Sequence, residues 1–292
     1  MRRDLKYGFF FISPGVAYFL LFWIAPVLIA IYYGWTDWKV GHSAGWVGLK
    51  NYLDLFTDPR FQQSLLASAK VALISVTGCC GIALGLAVLL DDDRLVGARL
   101  FRLLIILPVV TDWVATGMVW QLIFLPNSGV LAGVAASLKL NSLVTLRWTA
   151  STKLAPWAIS IFIIWKTTGL YTIFFLAGLK GVPKQYTEAA QVDGANRWQA
   201  FWRITMPLMR PITVFVLVIA FVSTIGLFEP VFMLTGGGPA DATRTLPLFL
   251  YENFFQFHHG GYASAAGILF LILCLIFALT AARLLQYSYY EE

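Results

Sequence analysis

Three charged side chains interrupt the long apolar runs of this sequence, and their chemistry needs an explanation first. Asp112 and Glu229 are carboxylates, and Lys166 carries an ammonium group. A charge at the centre of a bilayer costs at least ~2.5–3.5 kcal/mol on insertion scales, so each must face water or a partner. The three could line a wet cavity within a membrane, and Asp112 with Glu229 could carry the ion coupling of a secondary transporter. A structural Asp112–Lys166 pair is compatible with the cavity.

Other chemistry is not indicated by the sequence. The motifs H-E-x-x-H and G-x-x-x-x-G-K-[ST] do not occur in it. His258 and His259 lack a third ligand nearby, and Cys79, Cys80 and Cys274 have no disulfide or metal spacing. We therefore predict no catalytic residue, no metal and no cofactor on this chain.

The composition indicates the kind of protein that must position these charges. Hydrophobic residues make up 59% of the 292 and charged residues 12%, whereas a soluble domain carries about 25% charged residues. About 20 apolar residues at ~1.5 Å each cross a ~30 Å hydrocarbon core. We predict an all-α polytopic membrane protein, a single domain over residues 1–292, with six transmembrane helices at 9–32, 66–90, 103–124, 155–179, 212–234 and 262–285.

The distribution of Lys and Arg predicts the orientation of these helices. With the N-terminus inside, basic residues are more frequent in the cytoplasmic segments than in the outer loops, as the positive-inside rule requires. The net charge of +6 is then explained by topology and anionic lipid, and no nucleic-acid partner is implied. The outer loop GGGPADATRT follows a helix and not a strand, which favours a gate over a phosphate site.

One polar segment, at about 180–210, separates the fourth and fifth predicted spans. Pro183 suits a helix N-terminus, and Gly194 suits the left-handed residue after a helix end. A second short helix should follow, until Pro207 and Pro211 redirect the chain into the membrane. Two interpretations stay open: a helix that docks in a groove of another protein, or an amphipathic helix on lipid headgroups.

The polar segment resembles the EAA loop of permease subunits from binding-protein-dependent ABC importers. Glu188, Ala189, Ala190 and Gly194 carry this resemblance, together with the spaced Ile204 and Pro207. Further passages in the same order resemble the maltose and glycerol-phosphate branch of that family: APVLIAIYYGWTDW, GLKNYLDLF, FRLLIILPVV with VATGMVWQLIFLPNSGVL, IWKTTGLYTIFFLAGLKGVP, and LTGGGPADATRTLPLFLYENFF. The resemblance covers nearly the whole chain.

The resemblance implies a type I ABC importer permease fold and a set of partners. In that family two permeases pair, an ATPase dimer holds the ATP and Mg, and a soluble extracytoplasmic protein delivers the substrate. This implies a multi-pass subunit of a bacterial or archaeal cytoplasmic membrane, surrounded by lipid. The residues it assigns to ATPase coupling are Glu188, Ala189, Ala190 and Gly194, with Asp193 and Arg197 beside the contact.

The resemblance also implies a sugar cavity. It puts Val109, Trp113, Lys166, Thr167, Thr224 and Leu227 at or near substrate-facing positions, and the charges Asp112 and Glu229 complete this set. Trp113 could stack on a sugar ring, and Lys166, Thr167 and Thr224 could bond its hydroxyls. Val109 and Leu227 lack the hydrogen-bonding groups of some maltose permeases, so another sugar, or a glycerol-3-phosphate-type substrate, remains an alternative.

Overall fold

Helices form almost all of the regular structure in the computed structural model, which describes residues 2–39, 41–92 and 95–289. An isolated bridge joins Thr36 and Trp46. The helices are α1 (Arg2–Phe19), α2 (Ala25–Gly34), α3 (Lys50–Thr57), α4 (Pro59–Leu90), α5 (Ala98–Val110), α6 (Trp113–Ile123), α7 (Val130–Ser137), α8 (Asn141–Val144), α9 (Ala155–Gly181), α10 (Lys184–Val192), α11 (Arg197–Ala200), α12 (Met206–Leu208), α13 (Arg210–Ile225), α14 (Glu229–Leu234), α15 (Leu246–Tyr251) and α16 (Gly260–Tyr289).

Four helical stretches of the described chain are long and apolar enough to cross a membrane. They are Phe11–Gly34, Pro59–Leu90, Ala155–Gly181 and Gly260–Thr280, and two bent pairs, α5 with α6 and α11–α12 with α13, bring the number to six if each pair is one span. The predicted membrane class is confirmed. The continuity predicted for two spans is wrong, because 103–124 bends by 100° between α5 and α6, and 212–234 is interrupted after Ile225.

The chain divides into two compact units. One comprises Met1–Gln62 with Phe249–Leu275, and the other comprises Gln63–Leu248 with Ile276–Glu292. In the first unit, the Asn51 amide donates to the carbonyl oxygens of Gly34 and Thr36 at 3.0 and 2.8 Å, which fixes α3 against the end of α2. That a single domain spans 1–292 stays a prediction.

The second unit is built around α9, whose residues are buried along most of its length. Small residues let its neighbours approach: a Cβ on Gly169 would collide with the carbonyl oxygen of Ile105 in α5, and one on Gly178 would lie 2.6 Å from Ile212 of α13. Close backbone approach at glycine is a usual packing mode of membrane helices. Since α9 also carries Lys166, this packing fixes the depth and direction of the charge.

Candidate functional site

The bend between α5 and α6 contains the first group of predicted cavity residues. Thr111 and Asp112 are extended, with ψ of 154° and 144°, so the helical hydrogen bonding stops at Val110 and restarts at Trp113. Asp112 does not lie midway along a continuous helix, as the predicted span 103–124 implies, but is the N-cap of α6. Two polar helix ends therefore meet within one candidate span, where each needs a partner.

Asp112 satisfies the N-terminus of α6. Its Oδ1 accepts hydrogen bonds from the backbone N–H groups of Val114 and Ala115, both at 2.9 Å. Such an N-cap satisfies two orphan donors and places a negative charge at the positive end of the helix dipole. The side chain is nevertheless exposed, and its other oxygen, Oδ2, makes no hydrogen bond to the described part of the chain. One carboxylate oxygen is thus structural and the other is open.

Lys166 satisfies the C-terminus of α5. Lys166 is 2% exposed. Its Nζ donates to the carbonyl oxygens of Pro108 and Thr111 at 3.0 and 2.6 Å and to Thr111 Oγ1 at 2.9 Å. An ammonium group has three donors, so all are used. A cation at this position also matches the negative end of the α5 dipole.

This geometry bears on both roles considered for Lys166. In this conformation Lys166 has no donor left for a sugar hydroxyl, so the predicted substrate contact is not formed. Nor do Lys166 and Asp112, both within the described chain, make a direct ion pair. Each charge instead stabilises one of the two helix ends that meet at the bend. The Asp112–Lys166 pair that the sequence suggested is therefore not observed as an ion pair, and each charge has its own backbone partners.

Trp113 is the first residue of α6 and is half-buried. The Lys166 Nζ lies 4.9 Å from the centroid of its ring, within cation–π range. Its ring also meets Phe162 edge-to-face at 5.6 Å. Trp120 packs on the same Phe162 at 5.6 Å and on Trp165 at 5.5 Å. The Trp113 ring therefore contacts Lys166 and Phe162, and the residue remains partly exposed to solvent. This suits the sugar-stacking role predicted for it.

Trp120 and Trp165 were not singled out from the sequence, although a signal was present. Trp165 precedes Lys166 near the middle of a span and is 42% exposed, whereas tryptophan is usually enriched near membrane–water interfaces. Trp120 follows Trp113 by two helical turns. The mid-span position of Trp165 is visible in the sequence, whereas its exposure is seen only in the structure; together they indicate a polar cavity or a partner chain.

The remaining predicted cavity residues are divided between two places. Val109 is half-buried in the last turn of α5, and Thr167 donates its hydroxyl to the Ile163 carbonyl oxygen at 2.9 Å. Leu227 and Glu229 are half-buried at the break between α13 and α14, where Glu229 is the first residue of α14. The structure does not place Glu229 inside the continuous helix that the sequence predicted.

Thr224 and the packing of α14 connect the second break to the first. Thr224 is 4% exposed, and its Oγ1 is a buried hydroxyl without a hydrogen-bond partner in the described chain. The Gln121 amide of α6 donates to the Met233 carbonyl oxygen of α14, and a Cβ on Gly117 would lie 3.0 Å from Met233 Cβ. Both breaks therefore adjoin α6, which carries Trp113 at its start.

The polar segment at about 180–210 forms the helices that the sequence predicted. Pro183 is the N-cap of α10, and Gly194 has φ of +90° after its end. The Ala195 N–H donates to the Ala190 carbonyl oxygen at 2.9 Å, which closes the helix in the manner of a Schellman turn. A side chain at Gly194 would be strained because L-residues rarely adopt this conformation. The sharp turn thus depends on glycine.

The residues predicted to couple to an ATPase lie on the accessible surface of this segment. Ala190 is half-buried, and the others are exposed: Glu188, Ala189, Asp193, Gly194 and Arg197. Apolar side chains beside them are also exposed, with Val192 at 88% and Trp198 at 70%. Arg197 in addition lines a cavity of about 800 Å³ that contains Asp91 and Asp92. An exposed surface that mixes small, apolar and charged residues suits contact with another protein.

A second short helix follows the turn and leads back to the apolar part of the chain. Asn196 and Gln199 form a capping box at its start, and the helix continues as a π segment, Phe201–Thr205. It meets α13 at 70°, where Pro211 lies in the first turn. The redirection predicted from the prolines is thus observed.

Comparisons with known proteins establish the class of protein that this architecture defines. Residues 81–287 match the family described as "Binding-protein-dependent transport system inner membrane component". The chain belongs to this family. Its members are membrane-spanning permease subunits of ABC transporters, so the chain is a transport subunit of an inner membrane and not itself an enzyme.

Individual relatives agree with the family. The probable ABC transporter permease protein YesP of Bacillus subtilis (strain 168) is 33% identical, with 100% of this chain and 96% of that protein covered. The diacetylchitobiose uptake system permease protein NgcF of Streptomyces coelicolor is 31% identical, with 95% and 83% covered.

Solved structures show the same fold. A bacterial ABC transporter that imports the acidic polysaccharide alginate has a TM-score of 0.82, with 21% identity and 98% of each chain covered. A bacterial alginate transporter in complex with its pentasaccharide-bound periplasmic protein has a TM-score of 0.80, with 22% identity, 96% of this chain and 93% of that chain covered. The predicted type I importer permease fold is confirmed.

Proposed function

We propose that this chain is one of two permease subunits of an ABC importer for a sugar or oligosaccharide and forms half of the translocation pathway. Named relatives support the substrate class: one is a diacetylchitobiose permease, and a trehalose/maltose permease of Thermococcus litoralis is 29% identical over 95% of this chain. The second subunit would be another permease with an EAA segment. The alternative of an ion-coupled secondary transporter is not favoured, since the family is that of ABC permeases.

The observation that carries the coupling role is the exposed helix α10 with its turn at Gly194. Helix α10 lies between two candidate spans. The turn at its end requires a positive φ at position 194, which only glycine adopts without strain. We propose that Glu188, Ala189 and Ala190 enter a groove on the ATPase, with Asp193 and Arg197 at its margin. The ATP and Mg then belong to the ATPase dimer, and this chain holds no cofactor.

The path from α10 to the cavity is short along the chain. α10 follows α9 after Val182 and Pro183, and α9 carries Lys166, which holds the end of α5. A displacement of α10 by the ATPases would therefore be passed to α9 and to the bend beside Trp113. This is a packed connection of the kind through which coupling travels.

The proposed orientation follows from this assignment. α10 lies on the cytoplasmic side, so the N-terminus is cytoplasmic, and the loop between α14 and α15 faces the outside, where an extracytoplasmic binding protein delivers the sugar. A structural relative is seen in complex with a periplasmic protein, which supports this partner. Lipid would cover Phe11–Gly34, because the most apolar part of this helical stretch has no residue buried against the rest of the described chain.

The test is sugar uptake by proteoliposomes that contain the two permeases and the ATPases, with purified candidate binding proteins outside. We expect accumulation of a radiolabelled sugar that requires internal ATP and the binding protein. A matched preparation without ATP but with imposed proton and sodium gradients is the control. Accumulation driven by a gradient alone would contradict the proposal.

A further inference from the structure

We propose that Asp112 makes the cavity selective for uncharged or cationic sugars and that the open oxygen of its carboxylate accepts hydrogen bonds from sugar hydroxyls. The inference rests on the proposed sugar import and names the substrate class of the same site. It starts from the unequal use of the two oxygens: Oδ1 holds the N-terminus of α6, whereas Oδ2 is left open on an exposed side chain.

The charge of Asp112 must face water or polar groups. A carboxylate that accepts two N–H bonds at a helix N-terminus is stabilised in its charged form. At this depth in a candidate span, contact with lipid would cost several kcal/mol, so the exposed side of Asp112 belongs to a wet cavity or to another chain. The exposed edge of Trp113 follows it directly, and a carboxylate beside an aromatic ring offers a sugar both hydroxyl acceptors and an apolar face.

The nearby cation Lys166 offers an anionic substrate no direct contact. Lys166 is 2% exposed, and its three donors are directed at the end of α5. The other ionisable group of the predicted cavity set, Glu229, is an acid as well. An anionic substrate would therefore meet the accessible carboxylate of Asp112 without an accessible ammonium group. Phosphorylated sugars and uronates are disfavoured, which argues against the glycerol-3-phosphate-type alternative.

The test compares binding of matched ligands to wild type and Asp112→Asn. Asparagine is as good an N-cap as aspartate, so the variant keeps the bonds to Val114 and Ala115 and replaces the open carboxylate oxygen with an uncharged amide NH2 group. The probe is the sugar transported by the wild-type complex, in radiolabelled neutral form and as its uronic acid derivative. Equilibrium binding is measured on the purified complex, trapped with a non-hydrolysable ATP analogue and without binding protein, whose own selectivity would interfere. Asp54→Asn, an exposed carboxylate of α3, is the matched control.

We expect Asp112→Asn to weaken binding of the neutral sugar about tenfold, the lower end of the effect of a hydrogen bond to a charged group. The uronate loses the same hydrogen bond, but removal of a like charge about 6 Å away at an effective dielectric constant of about 40 offsets this about tenfold, so its binding should change little. The ratio of the two affinities then changes about tenfold, whereas Asp54→Asn leaves it unchanged.

Several results would overturn the inference while sugar import stands. These are an unchanged ratio in Asp112→Asn, a wild-type complex that prefers the uronate, or no saturable binding by a complex that does transport sugar. Dissociation of the two permeases in Asp112→Asn would show that Asp112 pairs with the second subunit instead. If the wild-type complex accumulates no sugar with ATP, the proposed function itself fails, and the inference fails with it.

Discussion

Replacing Lys166 with methionine should destabilise the protein through the bend between α5 and α6. Methionine has a similar length but no donor, so the carbonyl oxygens of Pro108 and Thr111 would lose the ammonium group that they share. Leaving a buried polar group unsatisfied costs about 1–3 kcal/mol, although hydrogen bonds within membranes are worth about 0.6 kcal/mol on average. The Pro108 oxygen keeps its bonds from the Thr111 hydroxyl and N–H, but the Thr111 oxygen would be left unsatisfied. With the lost contact to the α5 dipole, we expect a loss of about 3 kcal/mol.

The assay is thermal unfolding of the purified complex in detergent, followed by intrinsic fluorescence. With the scaling of soluble domains of 150–250 residues, a loss of ~3 kcal/mol lowers the midpoint by roughly 6–12 °C. Thr111→Val removes the hydroxyl group that accepts from Lys166 and donates to the Pro108 carbonyl oxygen, and it should lower the midpoint by about 4 °C. Lys153→Met changes an exposed lysine and should have no effect.

Two outcomes would contradict this stabilising role of Lys166 at the bend. If Lys166→Met keeps the wild-type midpoint and instead abolishes sugar binding, the ammonium group must turn towards the substrate in the working complex. If Lys166→Met and Lys153→Met lower the midpoint equally, the bend does not depend on the three hydrogen bonds.

Two glycine substitutions give further tests. Gly169→Ala should separate α9 from α5 at the Ile105 carbonyl oxygen and lower the unfolding midpoint by several degrees. Gly85→Ala is the control, because a Cβ there meets nothing within 4 Å. Equal midpoints for the two variants would contradict the close packing of α9 on α5. Gly237→Ala should lower the uptake rate without preventing assembly, because φ is +87° and the new Cβ would lie 2.8 Å from Leu248 Cδ2. Unchanged uptake would contradict a gating role for this loop, and Gly133→Ala is its control.

The sequence was sufficient for the membrane class and for the short helices and turn of the polar segment at about 180–210. Apolar runs of about 20 residues match the thickness of the bilayer core. The signals of Pro183 and Gly194 are local, because a fixed φ or a left-handed residue affects only one turn of the chain. These features do not depend on tertiary contacts, and the structure shows them where the sequence indicates them.

The two broken spans could not be predicted in the same way. A hydropathy window averages over 103–124 and does not detect two extended residues in its middle. The cost of breaking the helix there is offset by hydrogen bonds from Lys166, which is more than fifty residues away in sequence. Asp112 was recognised as a charge that needs a partner, but its partner is the backbone of its own helix. Hydropathy and charge placement thus located the unusual residues, and only the tertiary structure assigned their roles.

The proposed coupling of α10 to an ATPase is tested by the effect of Gly194→Asp on ATP-dependent sugar uptake and on co-purification of the ATPase subunits. Any side chain is strained at φ of +90°, so α10 would lose the turn that presents it. Gly181→Ala is the matched control, since nothing lies within 4 Å of that position and its φ is not positive. We expect the complex with Gly194→Asp to lose both uptake and the ATPases and the complex with Gly181→Ala to keep both. Full uptake with bound ATPases in Gly194→Asp would contradict it.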